Sequence, residues 1–361
     1  MKSFLTTAST AALAVALGLG AGGIGTFGPG AGAAMAAEKI VISNWDGYMP
    51  KDLPEKFKAE TGIEVEVALH ATNEEIMGKV VAGKGKGYDV LFVSSPFAEV
   101  LNKLGLSAPI DHAKVPNFAN LYPEAASLEY DPGNSFSAPY AWGTTGLCYR
   151  SDLVEGTPSS WNDLLNPSDG LKGKVTMLAT DRWLMAAGML ARGYSVNETS
   201  QAKIDEVKAQ LIETKKDLLA YDDTTFYSKL VSGEASLVHA WDGWCNYGIA
   251  ENDKIRYVIP EEGTDLWVDT MVITAASENK DAAHKFINYI LSADNGKWVA
   301  ENILYKVPNK AAMEALDSGL LASFPNLDMA PADMMKQEQL RDLGSAQKAY
   351  TKAVTEITAS N

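Results

Sequence analysis

The sequence is poor in the residues from which metal centres and catalytic sites are most often built. Its 361 residues include two cysteines and four histidines. The histidines lie far apart, without the short spacing of a metal-binding motif. The G-x-S-x-G, H-E-x-x-H and phosphate-loop patterns are all missing. We therefore expect neither an enzyme nor a metal-binding receptor, and no cofactor or metal ion.

Positive charge is also scarce. The chain has 31 lysines and arginines against 46 aspartates and glutamates, a net charge of −15. Nucleic-acid binding needs clustered basic residues, so we expect no nucleic-acid partner. An acidic protein is compatible with a cationic ligand. The two cysteines, Cys148 and Cys245, each lie in an apolar stretch, so both a disulfide and two buried thiols fit the sequence.

A long apolar stretch occurs only near the N-terminus. Lys2 is followed by an apolar run from about Ala11 to Leu19 and then by small residues up to Ala34-Met35-Ala36. The run is shorter than the roughly 20 residues that cross a bilayer. The arrangement is typical of a secretory signal peptide. We predict cleavage near Ala36 and an exported, soluble protein that starts near Ala37.

Strand and helix patterns alternate along the rest of the chain. The apolar run Tyr88–Ser94 indicates a strand buried on both faces. A helix is predicted over Asn73–Val81 with Asn73 as a candidate N-cap, and one amphipathic helix over Asp281–Ile303. About 325 residues exceed what one core usually supports. The predicted class is α/β with two lobes, each a mainly parallel sheet flanked by helices.

Two extended segments, Ser137–Tyr149 and Val268–Thr274, are interpreted as crossings between the lobes. We predict that lobe 1 comprises residues 37–142 and 270–308, and that lobe 2 comprises residues 143–269 and 309–361, after a signal peptide at 1–36. Two crossings imply a hinge and a cleft. Ligands of open α/β sheets bind beyond the carboxyl ends of the strands.

Tryptophan and aspartate occur together at three places. Trp267 and Asp269 are two residues apart on an extended segment, so their side chains share a face. An indole face beside a carboxylate suits an organic ammonium group. Adjacent pairs occur at Trp45-Asp46 and Trp241-Asp242. A single pair could be a strand-end tryptophan beside a solvated acid, but all three lie near predicted strand ends, which favours an amine-binding cleft.

Six segments together resemble the spermidine/putrescine-binding proteins, the periplasmic receptors of polyamine ABC importers. The segments are Asn44–Pro50, Phe57–Ile63, Tyr88–Val90, Ala138–Gly146, Trp267–Asp269 and Tyr305–Asn309. The resemblance implies the hinge-closing, type II-like fold of periplasmic binding proteins. It also implies a small organic amine as ligand, an inner-membrane ABC permease as partner and a location in the periplasm. We expect a monomer.

The resemblance further implies a set of ligand contacts. In that family, aromatic side chains enclose the aliphatic chain of the amine, and acids hold its ammonium ends. Asp269 is the expected anchor of one ammonium group. The other expected contacts are Trp45, Asp46, Tyr48, Ser94, Asp181, Arg182, Trp241, Asp242, Trp244, Trp267 and Tyr305.

The chain departs from the family pattern in its acidic residues. The acid that usually precedes the first tyrosine is replaced by Gly47. Asp46 is acidic but one residue out of register, which on a strand reverses the face. The family glutamate that holds the far ammonium group falls at or near Trp183. The far end of the predicted site is therefore short of negative charge.

Two hypotheses about the ligand follow from this shortage. A single acidic end suits a monoamine, and Arg182 facing the cleft would suit a zwitterion such as γ-aminobutyrate. Alternatively, Arg182 holds Asp181 or a surface loop, and the ligand is a polyamine. Asp222 and Asp223 could then compensate from a facing segment, or they could form a solvated turn.

Overall fold

The computed structural model describes residues 38–360, and the predicted signal peptide lies outside them. The first part of this range alternates strand and helix. Its elements are β1 (Lys39–Asn44), α1 (Leu53–Thr61), β2 (Glu64–Leu69), α2 (Asn73–Gly83), β3 (Val90–Ser94) and α3 (Ser95–Lys103). Three short 3₁₀ turns, at His112–Lys114, Pro116–Asn120 and Pro123–Ala126, lead to the long strand β4 (Ala138–Arg150).

The middle of the chain continues the alternation and ends on a second long strand. Its elements are α4 (Trp161–Leu165), β5 (Val175–Met177), α5 (Asp181–Leu190), α6 (Gln201–Lys215), β6 (Ala220–Tyr221), α7 (Phe226–Ser232), β7 (Leu237–Trp241), α8 (Asp242–Glu251), β8 (Ile255–Val258) and β9 (Asp265–Ile273).

The last part is mostly helical. Its elements are α9 (Lys280–Ile290), α10 (Ala293–Ile303), α11 (Lys310–Glu314), α12 (Ser318–Ser323), α13 (Pro331–Met334), β10 (Glu338–Gln339) and α14 (Gln347–Ala359), with 3₁₀ turns at Pro325–Asp328 and Gly344–Ala346. No helix among the described residues is long and apolar enough to cross a membrane.

Capping residues explain two differences from the sequence prediction. Thr72, not Asn73, caps α2, because its side chain accepts a hydrogen bond from the N–H of Glu75. The prediction of a single helix over Asp281–Ile303 is wrong. The segment forms two helices, α9 and α10, because Ser292 caps α10 by accepting a hydrogen bond from the N–H of Asn295.

Within residues 38–360 the strands form a ten-stranded sheet with the order β2-β1-β3-β9-β4-β7-β5-β6, with β10 beside β9 and β8 beside β4. The predicted α/β class is confirmed. The pairs that β4 and β9 make with β3, β7, β8 and each other are antiparallel, while β1–β2, β1–β3, β5–β6, β5–β7 and β9–β10 are parallel. The outer parts of the sheet thus keep the predicted parallel pattern.

Strand β4 joins the two parts of the sheet. Residues Ala138–Thr144 pair with β9, whereas Thr145–Tyr149 pair with β7. The change of partner lies close to the crossing predicted after residue 142. The lobe boundaries themselves stay a prediction.

A disulfide joins Cys148 of β4 to Cys245 of α8, with the two Cα atoms 5.9 Å apart. Both cysteines are fully buried. The structure therefore decides between the two possibilities that the sequence left open. The bond fixes the start of α8 against the centre of the sheet.

Candidate amine-binding site

The pairing of the central strands brings the candidate residues onto one face of the sheet. Ser94 lies opposite Asp269 in the β3–β9 pair, and Gly143 lies opposite Trp267 in the β4–β9 pair. Residues that face each other across a ladder point to the same side, as do alternate residues along a strand. Asp265, Trp267 and Asp269, here called the β9 face, therefore share a side with Ser94 and Gly143.

Two hydroxyl groups orient the carboxylate of Asp269. Tyr48 donates to Oδ2 over 2.8 Å, and Ser94 donates to Oδ1 over 2.6 Å. Ser94 is fixed in turn by Asn73, which accepts from its backbone N–H and donates to its Oγ. Two neutral donors hold the carboxylate and leave lone pairs free for a further donor.

Burial raises the pKa of Asp269 to about 6, and the hydrogen bonds from Ser94 and Tyr48 offset part of that rise. No lysine or arginine within residues 38–360 contributes to this shift. The carboxylate is thus desolvated and oriented but has no cation of its own. A bound ammonium group would supply the missing charge.

Aromatic rings enclose this carboxylate. Tyr48 packs edge-to-face on Trp45 and on Tyr305, with ring centroids 5.5 and 5.3 Å apart, and Trp267 packs on Tyr305 at 5.5 Å. Tyr48, Trp267 and Tyr305 are 7%, 2% and 3% exposed. Ring faces can bind both a methylene chain and a cation. Because the rings of Tyr48, Trp267 and Tyr305 are buried, a ligand can reach them only when the surrounding segments separate.

Gly143 allows the close packing beneath these rings. A Cβ at this position would overlap the indole of Trp267 and the carboxylate of Asp242. Gly143 belongs to one of the segments that carry the family resemblance. The overlap that a Cβ would cause explains why position 143 is occupied by glycine.

Asp242 holds a helix in place. Its Oδ2 accepts the N–H of Thr144 over 2.8 Å, and its Oδ1 accepts the N–H of Gly243 over 2.7 Å. Burial raises the pKa of this carboxyl to about 7. Both oxygens are occupied by backbone donors, so Asp242 ties the start of α8 to β4 beneath the rings.

The two remaining tryptophans of the expected site lie beside α7. Trp241 packs on Trp183 at 5.6 Å and on Phe226 at 6.4 Å. Trp244 packs on Phe226 at 5.4 Å. Both tryptophans are partly exposed, and Trp241 lies opposite Thr145 of β4. They extend the aromatic lining away from Asp269.

Three of the expected contacts form no hydrogen bond with Asp269, whose carboxylate bonds Tyr48 and Ser94. Asp46 is exposed in the turn after β1. Asp181 accepts a hydrogen bond from Thr351 of α14. Arg182 is 1% exposed, and its guanidinium donates to the carbonyl oxygens of Arg341 and Val196 and to Oδ1 of Asn197. Arg182, in the first turn of α5, therefore ties the C-terminal segment to the loop that follows α5.

Two acids that were not among the expected contacts also lie in this part of the protein, Glu74 and Asp265. Desolvation raises the pKa of Glu74, and the charges of Asp181 and Asp223 raise it further. Helix α2 therefore faces the start of α5 and the turn after β6. Asp265 could have been found from the sequence, because it continues the alternation of Trp267 and Asp269 by one more step.

The fold and the oriented, unpaired carboxylate among aromatic rings define a solute-binding protein. Residues 52–323 match the family model described as bacterial extracellular solute-binding protein, and the chain belongs to that family.

The chain is 32% identical to a spermidine/putrescine-binding periplasmic protein of Salmonella typhimurium, over 91% of this chain and 95% of that one. It is 29% identical to a putrescine/cadaverine-binding protein of Pseudomonas aeruginosa, over 91% and 96%. The structure of a spermidine/putrescine ABC transporter substrate-binding protein from Streptococcus pneumoniae aligns with a TM-score of 0.75 at 27% identity, covering 89% and 98%. The resemblance and the periplasmic binding protein fold are confirmed.

Proposed function

We propose that this protein captures a small polyamine between two lobes in the periplasm and delivers it to the permease of an ABC importer. The observation that carries the proposal is the carboxylate of Asp269, which Tyr48 and Ser94 orient and no cation of the described residues neutralises. The names of the relatives, which specify putrescine, spermidine and cadaverine, support the same ligand class.

The chemistry of the site suits an alkylammonium ion. A charge-assisted hydrogen bond to Asp269 would hold one nitrogen, and the faces of Trp267 and Tyr305 would cover the adjoining methylene groups. A micromolar dissociation constant requires about −8 kcal/mol. One desolvated ion pair and two aromatic contacts are of the right order to supply it.

Ligand entry and closure follow from the burial of the rings. Tyr48 and Ser94 lie in the proposed lobe 1, whereas Trp267 and Asp269 lie on β9 at the proposed boundary. Separation of the lobes would uncover the rings, and an amine bound to both sides would favour closure.

The placement of Arg182 weighs against a zwitterionic ligand. Its guanidinium already donates to two carbonyl oxygens and to Asn197. A ligand carboxylate would have to displace these buried bonds, at a cost of the order of 1–3 kcal/mol for each group left unpaired. γ-Aminobutyrate is therefore the less favoured ligand.

Calorimetric titration of the mature protein, freed of bound ligand by refolding, tests the proposed function. We expect binding of putrescine, cadaverine or spermidine with a dissociation constant in the micromolar range or below. We expect no comparable binding of γ-aminobutyrate or choline, because choline cannot donate a hydrogen bond to Asp269. Binding of γ-aminobutyrate alone would refute the polyamine assignment.

Amine binding is expected to weaken below about pH 6. Burial raises the pKa of Asp269 to about 6, whereas an alkylammonium group keeps its proton up to about pH 10. The ammonium needs the ionised carboxylate, so affinity should fall about tenfold per pH unit below the pKa of Asp269.

The stability of the ligand-free protein has the opposite dependence on this group. An unfolded aspartate loses its proton near 3.8, so the folded state binds more protons between that value and about 6, and its stability falls as the pH rises through this window. The rise in melting temperature caused by putrescine should therefore grow between about pH 5 and about pH 8. A rise that stays constant over this range would contradict the role of Asp269.

A further inference from the structure

Asp265 is a buried carboxyl group with an unused oxygen on the β9 face. It is 1% exposed, and its Oδ2 has no hydrogen-bond partner. Thr144 pairs with Leu266 in the β4–β9 ladder, so Thr145 is the neighbour of Asp265 on the same side. A buried carboxylate oxygen without a partner costs free energy, and native proteins normally satisfy such atoms.

The polar groups around Asp265 are also incompletely satisfied. The hydroxyl of Thr145 and the indole N–H of Trp183 lie near enough to lower the pKa of Asp265, yet neither completes a hydrogen bond to it. Burial nevertheless raises that pKa to about 6. These three buried groups converge beside Trp241, which packs on Trp183.

Arg182 is close enough to Asp265 to interact with it electrostatically, but the two side chains form no ion pair. Its charge lowers the pKa of Asp265, while its guanidinium donates to Arg341, Val196 and Asn197. Among the described residues, Asp265 forms no ion pair. It therefore remains available to a cation that arrives along the β9 face.

We propose that Asp265 holds the second ammonium group of a diamine whose first ammonium group is held by Asp269. This inference rests on the proposed function and extends it to the length of the ligand. The family glutamate expected to hold the far ammonium group falls at or near Trp183 in this chain, and Asp265 lies beside that tryptophan. The acid missing from α5 is thus replaced by one from β9.

The spacing along β9 fits a diamine. Asp265 and Asp269 are four residues apart, which on a strand corresponds to roughly 13 Å. An extended four-carbon diamine spans about 6 Å between its nitrogens, from bonds of about 1.5 Å. A charge-assisted hydrogen bond of about 2.8 Å at each end brings the total to roughly 12 Å. The methylene chain would lie over Trp267, which is between the two acids.

Titration with a diamine and the monoamine of equal length tests this inference. We expect wild-type protein to bind putrescine about 30-fold more tightly than n-butylamine, because only the diamine uses both acids. In Asp265→Asn, putrescine affinity should fall to near that of n-butylamine, which itself should change little. Asp169→Asn removes a negative charge from an exposed side chain and should retain the diamine preference.

The outcomes separate this inference from the proposed function. If putrescine binding is lost in Asp269→Asn but unchanged in Asp265→Asn, Asp265 has no role and the polyamine function stands. If wild-type protein binds none of putrescine, cadaverine and spermidine, the proposed function itself fails. Equal affinity of wild-type protein for putrescine and n-butylamine would overturn the role of Asp265 without the use of any variant.

Discussion

Replacement of Asp269 by asparagine is expected to abolish amine binding and to leave the fold intact. The amide has the shape of the carboxylate, and the hydroxyls of Tyr48 and Ser94 can rotate to bond it. The variant removes the charge that pairs with the ammonium group. Loss of one partner of a desolvated charge pair costs about 2–5 kcal/mol, which weakens binding roughly 30-fold to several thousand-fold.

Thermal unfolding with and without putrescine measures this effect. At a ligand concentration of about 100 times the dissociation constant, wild-type protein should gain about 2.7 kcal/mol and melt about 4 °C higher. The variant should melt near the ligand-free wild-type temperature with or without putrescine. Asp169→Asn again controls for the change in overall charge. An undiminished shift in Asp269→Asn would remove Asp269 from the site.

Loss of the disulfide is expected to have the largest effect on stability. The bond between Cys148 and Cys245 closes a loop with a sequence separation of 97. A cross-link of about that length stabilises by about 4.7 kcal/mol in the chain-entropy model. The double variant Cys148→Ala/Cys245→Ala should therefore melt about 7 °C lower than wild-type protein. Alanine avoids placing an unbonded hydroxyl in the core.

Scanning calorimetry with and without reductant provides the control for this prediction. Reductant should lower the melting temperature of wild-type protein toward that of the double variant, once partial unfolding exposes the buried bond. It should leave the double variant unchanged. If reductant and the double substitution both leave the melting temperature unaltered, the disulfide does not contribute to stability as proposed.

Elements with strong local signals could be predicted from the sequence. Helix α4 (Trp161–Leu165) carries such signals, because Ser160 caps its start and an apolar face follows. The break between α9 and α10 was not predicted, because a single helix was expected across Ser292, although the buried residues after Ser292 lie on a different helix face from those before it. The antiparallel direction of β4 and β9 was not predictable either, since strand direction depends on distant partners.

The candidate site, like the fold, could be predicted from the sequence only in part. The shared face of Trp267 and Asp269 follows from alternation alone, and Tyr48 and Ser94 were expected from the family resemblance. The lack of a hydrogen-bond partner for Oδ2 of Asp265 could not be foreseen, because it depends on the β4–β9 register and on where Trp183 packs. The contacts of Arg182 depend on a segment about 160 residues away, which no local pattern reveals.

A crystal structure of the mature protein with putrescine tests the central claim most directly. We predict one ligand nitrogen at about 2.8 Å from a carboxylate oxygen of Asp269 and a methylene chain against Trp267 and Tyr305. A putrescine molecule bound elsewhere, with Asp269 still bonded to Tyr48 and Ser94 alone, would contradict the account.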